Sequence, residues 1–269
     1  MDAALRTSPL RSQPPRSSEH AAALRAVALN IGAAAPARAA RIVAWLSRRA
    51  DDVIVLTETS AGPGTQLLRE DLRQRGFQTY SVTDARDRGV LVASRVAVRD
   101  VLTDRLRVTL PWRVCALALD TTPAIIVLGV YVPSRDRSAA KIARKQAFIV
   151  SLLQGLGALG EPARRNLLLV GDYNAIARRH DPALPGFFSW EYALHDQLED
   201  LGLRPAHELL SVGAQPHSWI GRTGNRYLYD YIHLSPGLQP RLDRCAYLHE
   251  PRTTGLSDHA AVTARLRLD

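Results

Sequence analysis

Residues 167–174 read Leu167-Leu168-Leu169-Val170-Gly171-Asp172-Tyr173-Asn174: four branched apolar residues, a glycine, then two polar residues around an aromatic ring. An apolar run with no polar alternation predicts a strand buried on both faces, as in the sheet of an α/β protein. The polar end predicts that this strand stops at a sheet edge where side chains from distant segments meet. Working outward, the same form recurs. Residues 24–30 form a strand pattern ending on Asn30, and Val53-Ile54-Val55-Leu56 ends at Thr57-Glu58-Thr59. The run from Ala124 to Val132 carries Tyr131 at its end, residues 228–234 contain Asp230, and Asp258 with His259 precedes a last strand over 260–268. Helical spacing covers 36–49 (Ile42, Val43, Trp45, Leu46), 65–75, 138–159 and 189–202. Residues 77–83, 89–98, 106–110 and 112–119 are β candidates, the last two separated by Pro111.

Helices alternating with strands predict a single α/β domain over residues 23–269, preceded by a disordered Arg/Pro/Ser-rich tail over 1–22. The chain has 269 residues, 46% apolar and 23% charged, ordinary for a protein with a sizeable core. No apolar run reaches the roughly 20 residues that span a bilayer. Cys115 and Cys245 are too few for a disulfide framework or a thiolate zinc site, which suits a reducing, cytoplasmic setting. A monomer is expected. The formal charge of +9 permits a polyanionic partner, because neutralising phosphates releases counterions. It does not compel one. Lys141 and Lys145 are the only lysines, and an Arg bias of this kind also follows from a GC-rich coding sequence.

Each polar strand end has a bland explanation taken singly. Asp and Asn after a strand make turns, and a lone Glu is usually solvated. The coincidence of Asn30, Glu58, Tyr131, Asp172, Asn174, Asp230, Asp258 and His259 calls for a site. Carboxylates with an amide and an imidazole, and no thiolate, form a hard donor set that suits Mg²⁺ or Mn²⁺. The chain lacks a G-x-x-x-x-G-K loop, a G-x-S-x-G elbow and a G-x-G-x-x-G turn after its first strand. P-loop, α/β-hydrolase and dinucleotide chemistry are therefore unsupported.

The order Leu29-Asn30, Leu56-Thr57-Glu58-Thr59, Val130-Tyr131-Val132-Pro133, Gly171-Asp172-Tyr173-Asn174, Tyr229-Asp230-Tyr231-Ile232 and Ser257-Asp258-His259 resembles the endonuclease/exonuclease/phosphatase superfamily. Within it, the exonuclease III-like and abasic-site endonuclease branch fits best. The resemblance implies a four-layer α/β sandwich of the deoxyribonuclease I-like kind, two packed mixed β-sheets flanked by helices. It implies metal-assisted in-line attack of water on a phosphodiester. Glu58 would hold the metal, with Asn30 beside it and Asp258 near it. Asp172 would orient or deprotonate the water, and Asn174 would fix the phosphate. Asp258 would orient His259, Asp230 would support that cluster, and Tyr131 would donate to the phosphate or leaving group. Trp219 would stack on a sugar or base. Tyr131 favours DNA, since other branches carry His in that strand. The surrounding positions depart from the branch. Gly32 replaces the second Asn of Asn-x-Asn-Gly, Thr57 and Ser60 replace Gln and Lys around Glu58, Arg88 replaces the Asn before Gly89, and Leu228-Tyr229 replaces Arg-Ile before Asp230. A phosphoesterase on a small or lipid phosphate and a non-catalytic nucleic-acid-binding relative are the alternatives.

Overall fold

The computed structural model describes residues 23–210 and 213–268, so the expected tail over 1–22 lies outside the described residues. The chain opens with strand β1 (Ala23–Asn30), helix α1 (Pro36–Ser47), β2 (Val53–Thr59), α2 (Pro63–Gln74), β3 (Gln78–Tyr80) and β4 (Gly89–Ser94). Pro36 and Pro63 occupy the first turns of α1 and α2, where the missing N–H costs nothing. Next come β5 (Val98–Val101), β6 (Val114–Leu119), β7 (Ile126–Tyr131), α3 (Ala139–Ala158), α4 (Glu161–Arg165) and β8 (Leu167–Asp172). The remainder is α5 (Ser189–Asp200), β9 (Arg204–Pro205), α6 (Ala206–Leu209), β10 (Trp219–Ile220), β11 (Arg226–Tyr227), β12 (Asp230–Leu234), β13 (Leu242–Leu248), α7 (Glu250–Thr253) and β14 (Ala261–Arg267).

Two six-stranded sheets result, ordered β13-β14-β1-β2-β4-β3 and β5-β6-β7-β8-β12-β9. Each contains one parallel pair, β1 with β2 and β7 with β8, and is otherwise antiparallel. A parallel pair needs a crossover, and α1 and then α3 with α4 supply the two. The inner sheet faces bury Ala26, Ala28, Val53, Val55, Val90 and Val92 against Leu117, Val127, Leu168, Val170 and Ile232. α1 and α2 cover the outside of the first sheet through Ile42, Trp45, Leu68 and Leu72, while α3 and α5 cover the second through Phe148, Leu152, Leu194 and Leu198. This is the four-layer α/β sandwich. At Gly129 the two sheets come so close that a Cβ would lie 2.8 Å from Val90 Cγ1 and 2.9 Å from Val92 Cγ2.

Some expected elements change. Residues 106–110 are not a strand. A 3-10 turn covers Thr103–Leu106, Arg107 takes a left-handed φ of 49°, and Thr109 N–H donates to Ser151 Oγ at 3.0 Å instead of to a ladder. Leu106 and Val108 still bury their side chains under α3, which explains an apolar pattern without a strand. A second 3-10 turn, Pro111–Arg113, shortens the following strand to Val114–Leu119, and the strand expected over 77–83 is only Gln78–Tyr80. β13 was absent from the expectation. It is an edge strand, partly exposed along most of its length, so Asp243 and Arg244 dilute its apolar signal.

Candidate active site

Both parallel pairs end at one place. Asn30 pairs with Thr57 at the end of β1/β2, and Tyr131 pairs with Asp172 at the end of β7/β8. On the neighbouring antiparallel strand, Asp230 lies opposite Asp172. Glu58 follows Thr57 at a bulge in the β2–β4 ladder, where Thr57 faces Val90 and Thr59 faces Gly89. Its φ of 53° is left-handed, a conformation that side chains other than Gly adopt at a cost. The bulge turns Glu58 out of the core. Its side chain lines a cleft of about 680 Å³ with Asp258, Gly32, Ser257, Arg38 and Arg252.

Asn30 is the hub. Its Nδ2 donates to Glu58 Oε1 at 3.0 Å and to Asp172 Oδ2 at 2.9 Å, and its Oδ1 accepts from Gly32 N at 2.8 Å. Asp172 also accepts from Asn174 N at 2.9 Å and from Asn174 Nδ2 at 3.3 Å. The latter amide donates to Val132 O at 3.1 Å as well. Asn174 therefore turns its amide protons inward to brace Asp172. Burial first, then the charges of Asp230 and Glu58, push the Asp172 carboxyl well above the usual range.

His259 Nδ1 and Asp230 Oδ2 are 2.7 Å apart. Burial disfavours charge on the imidazole, but Asp230 and its hydrogen bond override this and raise its pKa to about 10. Asp172, Asp230 and His259 bring one donor atom each within 4.8 Å of one another. The expectation that Asp258 orients His259 is corrected: Asp230 does so. Asp258 is exposed and accepts from Trp219 Nε1 at 3.0 Å. The backbone explains the exchange, because the Ser257 hydroxyl donates to Asn30 O at 2.6 Å and accepts from His259 N at 2.9 Å. That turn buries His259 and leaves Asp258 outside. The Trp219 ring lies 6.4 Å from the His259 ring, on the rim.

Tyr131 is buried, and burial with the charges of Glu58 and Asp172 raises its hydroxyl far above the ordinary phenol value. The hydroxyl therefore keeps its proton and remains a donor. Several residues here escaped the sequence reading. Arg113 stacks over the Tyr131 ring at 4.4 Å and is fixed by Asp87 at 2.7 and 3.0 Å. Lys145 Nζ, in the interior, donates to Asn174 O at 2.6 Å and to Glu191 Oε1 at 2.6 Å, while Arg135 Nε donates to Glu191 Oε2 at 2.9 Å. Ser218 Oγ accepts from Tyr229 N at 3.0 Å and Asp230 N at 3.1 Å. Ser218 and Ser257 did have a signal, since Ser218 immediately precedes Trp219 and Ser257 opens the quoted Ser257-Asp258-His259 triplet.

A two-sheet sandwich with acids, an amide and an imidazole gathered at shared strand ends defines a class of phosphoester hydrolases. The endonuclease/exonuclease/phosphatase family model matches residues 27–259, and the chain belongs to that family. Among solved structures, it is similar to the 3′-5′ exonuclease NExo from Neisseria meningitidis, with TM-score 0.74 and 22% identity over 91% of this chain and 100% of that one. The 3′ phosphatase NExo from Neisseria bound to product DNA hairpin gives 0.71 and 22% over 90% and 99%. An abasic-site (AP) endonuclease from Archaeoglobus fulgidus gives 0.72 and 18% over 90% and 98%. No curated protein matches the sequence. Among the described residues no helix is long and apolar enough to cross a membrane.

Proposed function

We propose that the chain is a divalent-metal-dependent phosphodiester hydrolase that cuts DNA in the manner of exonuclease III. One observation carries the reading: Asn30 ties Glu58 of one sheet to Asp172 of the other, next to the Asp230–His259 pair. The donor set suits the ion. Asp172 and Asp230 crowd around one imidazole, Glu58 shares the Asn30 amide with Asp172, and oxygen donors without thiolate suit Mg²⁺ or Mn²⁺. Glu58 would hold it, with Asp258 on the same cleft and Asn30 positioning the carboxylate. When bound, the ion would neutralise a phosphate oxygen and the developing charge on the leaving oxygen.

The remaining work falls to the chain. Asp172 orients the attacking water and takes its proton, helped by a carboxyl pKa that burial and like charges have raised. Asn30 and Asn174 hold both Asp172 oxygens so that the base does not rotate away. His259, with Nδ1 engaged by Asp230, keeps a proton on Nε2 and donates it in a hydrogen bond to a phosphate oxygen. Tyr131 donates its hydroxyl proton towards the phosphate or the leaving group, held in place by Arg113. Trp219 flanks the cut site on the rim. DNA is favoured by Tyr131, by the +9 charge and by likeness in fold to a protein bound to a DNA hairpin.

The test is incubation with Mg²⁺ or Mn²⁺ on an abasic duplex, a nicked duplex and bis-p-nitrophenyl phosphate. Cutting of either DNA that stops with EDTA supports the proposal. Hydrolysis of the generic ester with both DNAs intact moves the assignment to a small phosphate ester.

A further inference from the structure

Beside the reaction centre, one group of basic side chains is left without partners among the described residues. Arg252 in α7 lines the cleft together with Glu58 and Asp258, and its Nε is buried with no hydrogen bond. His217 and His249 face each other with ring centroids 4.7 Å apart, and His249 Nδ1 is likewise buried and unpartnered. Burial, His249 and the charges of Arg226 and Arg252 lower the pKa of His217; burial, Arg252 and Arg226 do so for His249. Among the described residues, the charges that shift the two rings are all basic. The nearest acids in sequence are turned elsewhere. Glu250 accepts from Trp45 Nε1 at 3.0 Å and Arg48 at 3.3 Å, and Asp258 accepts from Trp219. Arg38, on the same cleft, spends its guanidinium on the Ile31, Gly32 and Leu256 carbonyls.

A free arginine on a surface is ordinarily just solvated. Here Arg252 Nε and His249 Nδ1 find no partner within the fold, so neither atom is tied to another group of the described residues. The guanidinium that lines the cleft is therefore free to meet an anion, and a guanidinium with imidazole N–H groups is a phosphate-binding set. The patch adjoins the Glu58 end of the cleft, so one ligand can span both. We propose that Arg252, with Arg226 and the His217–His249 pair, forms a subsite for a second phosphate: the phosphodiester next in line to the one being cut. The ligand class is a polynucleotide strand, since a single phosphate ester has nothing to place there. This rests on the hydrolase reading and adds to it the feature that selects a chain over a small ester.

The experiment is fluorescence anisotropy with short single-stranded oligonucleotides at low salt in EDTA, so that turnover does not enter. One linkage at a time is made a neutral methylphosphonate. Wild-type protein should lose about 10-fold in affinity at a linkage beside the cut site. Arg252→Gln should lose about the same on the unmodified strand, become insensitive at that one linkage, and show a salt slope smaller by about one. Arg252→Lys should recover part of the affinity. Melting of both variants within about 2 °C of wild type excludes a folding defect. Wild-type binding by Arg252→Gln, equal sensitivity at every linkage, or no oligonucleotide binding at all would overturn the subsite. Hydrolysis of bis-p-nitrophenyl phosphate by wild-type protein, measured separately with Mg²⁺, reports on the hydrolase reading alone.

Discussion

Lys145→Met tests the hidden support of the candidate site. Lys145 and Glu191 have side chains 1% and 0% exposed, so their ion pair is out of water. Burial opposes a charge on Glu191, but its bonds to Arg135 and Lys145 override this and hold its carboxyl below the usual range. Methionine keeps the unbranched stem but removes the ammonium, leaving Glu191 one cation short and Asn174 O without its donor. Removing one partner of a buried pair costs about 3–5 kcal/mol, and the surviving Arg135 contact places the expectation near the lower end. For a domain of this size, about 3 kcal/mol lowers the melting temperature by roughly 6–12 °C. Asn174 sits at a left-handed φ of 46°, and the Lys145 bond to its carbonyl helps to keep it there. Its loosening should lower kcat about 10- to 100-fold with KM little changed, because the brace on Asp172 shifts while the rim does not. Adding Glu191→Gln should recover part of the stability, as the stranded charge is removed. The measurements are thermal melts and steady-state kinetics. Melting within 2 °C of wild type, with kcat intact, would refute the reasoning.

Three other outcomes are expected. Glu58→Gln should cut metal-dependent turnover by roughly 100-fold or more without unfolding the chain, since Glu58 lies at the cleft, and wild-type kinetics would remove it from the metal assignment. Asp230→Asn takes the partner from His259, whose pKa of about 10 should then fall, so the alkaline limb of the pH–rate profile should move to lower pH. Burial lowers His195 to about 3 and His207 to about 4, so the unfolded chain takes up protons at higher pH than the folded one. Their contribution is complete above pH 6.5 and is lost as pH falls towards 3–4. A urea midpoint that fails to decline between pH 6.5 and 4 would contradict it.

The site was legible where chemistry coincides with the end of an apolar run. Asn30, Tyr131, Asp172 and Asp230 each end or begin a strand, Glu58 stands one residue before the end of β2, and a strand end fixes position along the chain well enough to predict convergence. Lys145 was not legible. It follows Lys141 and Arg144 on a helix whose charges look like a solvated face, and only the fold brings Glu191 from α5 to bury it. Arg113 and Asp87 were hidden for the same reason, since a stack on Tyr131 depends on a 3-10 turn that reads as a mere proline break. The roles of Asp230 and Asp258 were exchanged because adjacency in sequence favoured Asp258, whereas the Ser257 turn points neighbouring residues to opposite sides.

The bonds around Asn30 also explain why chemistry and substrate choice can drift apart. Glu58, Asn30 and Asp172 form one line across the two sheets; Asn30, Ser257, His259 and Asp230 form another. Every member except Glu58 is buried, and each bond satisfies a group whose desolvation would otherwise be costly. Replacing any one member strands its partners, so this set resists change. Thr57 apart, which is buried in β2 beside Asn30, several departures from the branch pattern lie elsewhere. Gly32, Ser60 and Arg88 sit on the loops that rim the strand ends, and Arg252 stands in α7 on the same cleft as Gly32. Of these, Arg252 makes no side-chain hydrogen bond to the cluster, so substitutions there leave the cluster's bonds complete while changing what the cleft meets outside it. A floor built from strand ends holds the reacting groups, and the rim around it is what the proposed substrate would meet.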